Sequence, residues 1–257
     1  MWTRRETVVA GLLTILYGAS GACACAPGNA RRSPRRGCVL TAAEAEPYLA
    51  KASDTRVFLT GKEPMIPRSG NRNFDLALAR TLSKAASVLE VLPGFAYYED
   101  YDDFNAYATT LVRRDRADGT VLFGGGLLLD LMRAKESPEV SVAAVCAHEF
   151  GHIVQFKHDL QKVVLKGQKT ERRSELQADF LAGYFAGVRK REKPDFPAAV
   201  FAVTQSKFGD LDFDSPGHHG TPAERGAAIV KGFEAAYRQK LSLADTIVAS
   251  TNYVTAL

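Results

Sequence analysis

Between Ser137 and Lys157 the chain reads SPEVSVAAVCAHEFGHIVQFK. Serine and proline in this order suit a helix N-cap and its first helical position. From Val140 to Phe156 the segment is apolar on nearly every side, as expected of a helix that runs through the centre of a domain. Set into it are His148, Glu149 and His152. Histidines four apart project from one helical face about a turn, roughly 5.4 Å, apart, and two neutral imidazoles so placed can share one Zn2+. Glu149 is rotated away from the pair and is expected to reach a metal-activated water, taking its proton as general base and passing it to a leaving group. Gly151 is expected to leave room beside the metal. The competing reading is a pair of satisfied histidines, and unpaired His and Glu in such apolar surroundings would be costly.

A catalytic zinc needs a third protein ligand and an open position. Glu175-Leu176-Gln177-Ala178-Asp179, on a helix expected over about 171–189, supplies the candidate. Glu175 would bind the metal. Asp179, one turn on, would accept the free ring N–H of a ligand histidine and fix its tautomer. Ala178 is small where two helices must approach closely. Taken alone, this acidic pair would read as a solvated face; the upstream motif favours the metal.

Elsewhere the pattern mixes helices with a little sheet. Phe74, Leu78, Leu82, Ala85 and Leu89 recur at helical spacing over about 73–92, and Pro93-Gly94 stops that helix. Asn105–Val112 and Thr120–Phe123 read as a hairpin, followed by a helix over 127–132. Gly124-Gly125-Gly126 lacks the Lys-Ser/Thr of a phosphate-binding loop and is expected to let backbone pass close to something. Thr221-Pro222-Ala223-Glu224 is a capping box that opens a further helix. His158 and His218 are expected to be exposed. The segment after Leu241 carries no clear signal.

With 46% hydrophobic and 24% charged residues the composition is that of an ordinary globular chain. The net charge is +4, and Arg31-Arg32-Ser33-Pro34-Arg35-Arg36 holds much of the positive charge in one stretch. The remainder is near neutral, which argues against a nucleic-acid partner. Arg4-Arg5, the apolar run Val8–Leu16 and small residues at Ala22, Ala24 and Ala26 read as a signal peptide over 1–26. The expected order is then a flexible basic linker over 27–45 and one domain over 46–257, exported to the periplasm or secreted. Alternatives at the N-terminus are a lipid anchor on Cys23 and an uncleaved anchor helix, either of which would tether the domain to a membrane. Of the other cysteines, Cys146 reads as a small buried hydrophobe, and a bridge to the distant Cys38 is not expected.

The ordered combination resembles the gluzincin zinc metallopeptidases of the HtpX and CAAX prenyl protease type, and the YpfJ-like neutral zinc metallopeptidases. His148-Glu149-Phe150-Gly151-His152 precedes Glu175, Ala178 and Asp179 as in their paired motifs. Asn105-Ala106-Tyr107-Ala108, Gly125-Leu127-Leu128 and His219-Gly220-Thr221-Pro222-Ala223-Glu224-Arg225 resemble their flanking segments. The membrane helices of the HtpX type have no counterpart. The resemblance implies an α+β, mainly helical zincin-like domain with a small hairpin or edge-strand sheet beside the zinc-motif helix. An extended polypeptide substrate would add a strand to the hairpin edge. His219 would act in catalysis, orienting ligands or stabilising the oxyanion, and Arg225 would support the site from behind the ligands. Otherwise His219 only terminates a loop and Arg225 only anchors its helix. Zinc-dependent endopeptidase activity is the leading expectation. A catalytically silent zinc-binding scaffold or assembly factor and a non-peptidase metal hydrolase are the alternatives, and the intact Glu149 speaks against the scaffold.

Overall fold

The structure, a computed structural model, describes residues 37–100, 104–115, 117–134 and 137–257. The signal peptide, the cleavage sites, Cys23 and the basic run therefore lie outside the described residues. About 54% of the described residues are helical, around one small mixed sheet, so the fold is α+β and mainly helical.

Four strands, β1 (Val39–Leu40), β2 (Gly94–Tyr98), β3 (Ala106–Thr109) and β4 (Thr120–Gly124), lie in the order β1-β3-β4-β2. The expected hairpin is β3–β4, antiparallel from Ala106 opposite Phe123 to Thr109 opposite Thr120. β2 runs parallel to β4 on the far side. Successive side chains of a strand point to opposite faces, and both faces are covered here. Phe95, Tyr97, Ala106, Ala108, Val121 and Phe123 join the main core, with helices α2 (Arg72–Leu89) and α4 (Pro138–Lys157). Ala96, Tyr98, Tyr107 and Leu122 pack instead with Leu40, Ala45, Tyr48 and Leu49.

Those last residues correct the linker boundary. Residues 37–45, read above as its end, contain β1 and the start of α1 (Ala42–Leu49). Thr41 forms a capping box with Glu44 at the head of α1. Without this segment the second face of the sheet would be left apolar and open. The folded part therefore includes Gly37 rather than beginning at 46. A second correction follows: the outer edge of β3 is not free, since β1 pairs parallel with it, Val39 opposite Ala108 and Leu40 opposite Thr109.

In α2 the expected apolar positions are buried, and Asn71 caps the first turn by accepting from the N–H groups of Asn73 and Phe74. The helix ends at Leu89, before Pro93, because Glu90 takes a left-handed conformation. β4 feeds α3 (Gly125–Met132) through the glycine run, where Asp100 accepts from the N–H groups of Gly126 and Leu127. The close neighbour expected of these glycines includes that carboxylate, which a Cβ on Gly124 would strike.

Every residue of α4 from Val140 to Gln155 is buried. Its neighbours are α2, α3, α6 (Arg172–Glu192), α7 (Ala199–Ser206) and the sheet. Ser137 occupies the N-cap position, but its side chain makes no capping bond. Helices α5 (Gln161–Val164), α8 (Pro222–Tyr237) and α9 (Leu243–Thr255) complete the chain. No helix among the described residues is long and apolar enough to cross a membrane.

α8 reaches the site only because it lies unusually close to α6. A Cβ on Gly183 would stand 2.1 Å from the Ile229 carbonyl oxygen, and one on Gly232 would stand 1.8 Å from the Phe180 carbonyl oxygen. Backbone cannot yield there as a side-chain tip can. Gly232→Ala is therefore expected to lower stability by about 1–3 kcal/mol through overpacking, outweighing a propensity gain of up to about 1 kcal/mol. A denaturant midpoint at or above that of the parent would refute the close-approach argument.

Candidate metal centre

Two helices build the site. α4 presents His148 and His152 on one face, their rings perpendicular at 90° with centroids 4.8 Å apart. α6 crosses against it and brings Glu175 to the same point. The small residues that permit the crossing are Gly151 and Ala178: a Cβ on Gly151 would lie 2.9 Å from the Ala178 Cα and carbonyl oxygen. This corrects the expectation for Gly151, whose missing side chain makes room for helix α6 rather than for a metal.

The ring nitrogens facing away from the centre are held first. His148 Nδ1 lies 2.8 Å from Asp179 Oδ1, and His152 Nδ1 lies 2.9 Å from Gln155 Oε1. A carboxylate or amide oxygen only accepts, so both Nδ1 atoms donate and both Nε2 atoms present lone pairs. Those Nε2 atoms stand 3.2 Å apart. Glu175 Oε2 is 3.3 Å from His148 Nε2, and Glu175 Oε1 is 3.5 Å from His152 Nε2. Zinc–nitrogen bonds of about 2.0–2.1 Å in a tetrahedron give ligand–ligand edges of roughly 3.3–3.4 Å. The three separations bracket that length, the two to Glu175 running to different oxygens of its carboxylate.

Burial and charge sharpen the picture. His148, His152 and Glu175 are 2%, 0% and 1% exposed. Glu175 Oε2 accepts no hydrogen bond despite its nearness to His148, and Glu149 Oε2 is likewise buried without a partner. Buried acceptors left unpaired in this way call for a cation or a proton. Burial alone would lower the His148 pKa, but Asp179 and Glu175 beside it raise it. His152 is driven down by burial. Burial would raise Glu175, yet His152, His219 and His148 hold it well below the usual carboxylate range. Burial pushes Glu149 up to about 8, against the pull of His148.

Behind His148 stands a buried ion pair. Arg225 Nε donates to Asp179 Oδ2 at 2.7 Å and Arg225 Nη2 to Asp179 Oδ1 at 3.0 Å. Nη2 also donates to Gln205 Oε1. Burial would raise the Asp179 pKa, but Arg225 and His148 hold it down. The capping box of α8, Thr221 with Glu224, sets the first turn from which Arg225 projects. His219 is held by Asp210, through its N–H to Oδ2 at 2.9 Å and Nδ1 to Oδ2 at 3.1 Å. It contributes to holding the Glu175 carboxyl low, although it is not among the clustered donor atoms. His158 is exposed as expected, whereas His218 is buried, because Asp210 binds its Nδ1 and Phe213 packs on its ring.

Sequence reasoning missed Cys38, Gln155 and Asp210. Gln155 had a readable signal, a polar side chain three residues after His152 in an apolar helix. Cys38 had none. Its sulfur and one donor atom each from His148, His152 and Glu175 all lie within 4.8 Å of one another. Cys38 and Cys146 are both buried and free, and Cys146 is the small hydrophobe expected.

Two imidazoles, a carboxylate and a thiol form a donor set of the kind that suits Zn2+. No family model, no curated protein and no solved structure matches the chain.

Asp179→Asn is expected to weaken metal binding roughly 10–100-fold, because the amide holds the His148 tautomer less firmly and leaves Arg225 without its counter-charge. Chelator competition measures this. An unchanged affinity would reduce Asp179 to a structural partner of Arg225.

Proposed function

We propose that the chain is a zinc-dependent endopeptidase of the gluzincin kind, with His148, His152 and Glu175 as zinc ligands and Glu149 as general base. The observation that carries this reading is the convergence of His148 Nε2, His152 Nε2 and the Glu175 carboxylate, one oxygen toward each histidine, at 3.2–3.5 Å, beside the unpartnered Glu149 Oε2. The paired motifs and their resemblance to gluzincins support it independently.

Zinc in this position supplies Lewis acidity toward a carbonyl and a nucleophilic water at neutral pH. The chain's own groups do the rest. Glu149 Oε2, free of other bonds, accepts a proton from the attacking water and returns it to the departing amide nitrogen. Asp179, held by Arg225, keeps the His148 proton on Nδ1 so that Nε2 remains a ligand. His219, whose Nδ1 donates to Asp210, would offer Nε2–H to the developing oxyanion in its doubly protonated form. The substrate class is an extended polypeptide.

A second reading, a zinc-holding scaffold without turnover, is favoured by one observation, the thiol of Cys38 in the ligand cluster. A fourth protein ligand closes a zinc site, and closed sites are structural. Incubating the zinc-loaded chain and a Cys38→Ala variant with an unfolded protein separates the readings. Cleavage that a chelator stops and zinc restores supports the peptidase; its absence from both proteins supports the scaffold.

A further inference from the structure

We infer that the segment Gly37–Leu40 is a built-in latch: the Cys38 sulfur completes the metal's coordination, while β1 covers the strand edge on which an extended substrate would lie. The inference rests on the proposed zinc site and adds a regulated, closed state to it.

Two separate features place the latch. The first is the donor cluster, in which Cys38, 8% exposed, brings its sulfur among three buried ligands. The backbone is fitted to the same point. The Cys38 N–H donates to Glu175 Oε1 at 2.9 Å, and a Cβ on Gly37, where φ is +57°, would meet that same oxygen at 2.3 Å. Only glycine adopts that conformation freely and leaves the oxygen room. The second feature is the sheet. Ala108 N–H donates to the Cys38 carbonyl at 2.9 Å, and Val39 and Leu40 pair with Ala108 and Thr109. These are the backbone groups of β3 that a substrate strand would use.

A two-residue strand is a short hold, and Val39 is only half-buried. Strand and sulfur therefore reinforce one another: each alone is weak, and together they close both the metal and the edge. Opening withdraws the sulfur, the thiolate recovers a proton from solvent, and one of four coordination positions is left for substrate chemistry. Glu175 Oε1 loses its backbone donor in the same movement.

The test uses the full-length chain loaded with Co2+ in place of zinc, with Cys38→Ala, Cys146→Ala and unsubstituted protein compared. A thiolate ligand gives a sulfur-to-cobalt charge-transfer band in the near ultraviolet. The band is expected in the unsubstituted chain and in Cys146→Ala, and it is expected to be lost in Cys38→Ala with cobalt content unchanged. Alkylation, read by peptide mass so that each cysteine is scored separately, needs no variant: Cys38 should resist in the metal-loaded chain and react once the metal is chelated. Cleavage of an unfolded protein by the zinc form should rise in Cys38→Ala. Cobalt bound without the band, or Cys38 alkylated equally with and without metal, overturns the ligand while the metal site stands. A band that Cys38 governs, with equal cleavage or none in both proteins, overturns the latch. Failure of the unsubstituted chain to bind either metal overturns the zinc reading itself, and the latch with it.

Discussion

Glu149→Gln is expected to leave fold and metal intact and to reduce peptide hydrolysis by about 10²–10⁴-fold, the usual share of a general base. This corresponds to roughly 3–5 kcal/mol on the barrier. The substitution is nearly isosteric, which matters at a side chain that is 1% exposed. It removes one capacity only: an amide cannot accept a proton from water and hand it on. Glu149 Oε2 has no hydrogen-bond partner, so no structural bond is lost with it. The comparison should be made in the Cys38→Ala background as well as in the parent, so that a closed site does not mask the loss. Products are read from an unfolded protein or a peptide library. Equal turnover with and without Glu149 would point to another base, and His219 would be the first to examine.

Legibility in the sequence depended on where each signal lay. α4 was legible because one segment holds both an all-apolar pattern and the polar triplet set into it. Glu175 and Asp179 were legible because a one-turn offset on a second helix has few other uses behind such a motif. The capping box of α8 marked its start, whereas only the resemblance placed Arg225 near the site. The missed elements share a cause in competing local signals. Phe95–Tyr98 hid behind Pro93-Gly94, which reads as a helix stop although Gly94 opens β2. Residues 37–45 followed an arginine-rich run, and the pairing of β1 with β3 depends on contacts far apart in sequence. α9 lies in a segment without a clear apolar signal, though Ser242 caps it by accepting from the Asp245 N–H. Cys38 illustrates the limit most directly. A lone cysteine far from the motif says nothing until the fold carries it to His148.

Removing any one ligand of the proposed triad should separate a true metal centre from a cluster that only resembles one. The purified chain is expected to carry about one zinc, and His148→Ala, His152→Ala and Glu175→Ala are each expected to lose it, because two helix-borne ligands and a thiol just ahead of a two-residue strand make a poor site. Stability should fall in parallel. Anything that binds the folded chain alone stabilises it, by about 4 kcal/mol at a thousandfold excess over the dissociation constant, so chelation of the parent should lower its melting temperature too. Without the metal, two imidazole lone pairs and a carboxylate face one another at 3.2–3.5 Å in a buried setting. Cys38→Ala supplies the contrast, since all three ligands fixed on α4 and α6 remain and zinc should be retained. The expected pattern in metal analysis is therefore loss in three variants and retention in the fourth. Stoichiometric zinc in all three ligand variants would sink the assignment, whatever the motifs resemble.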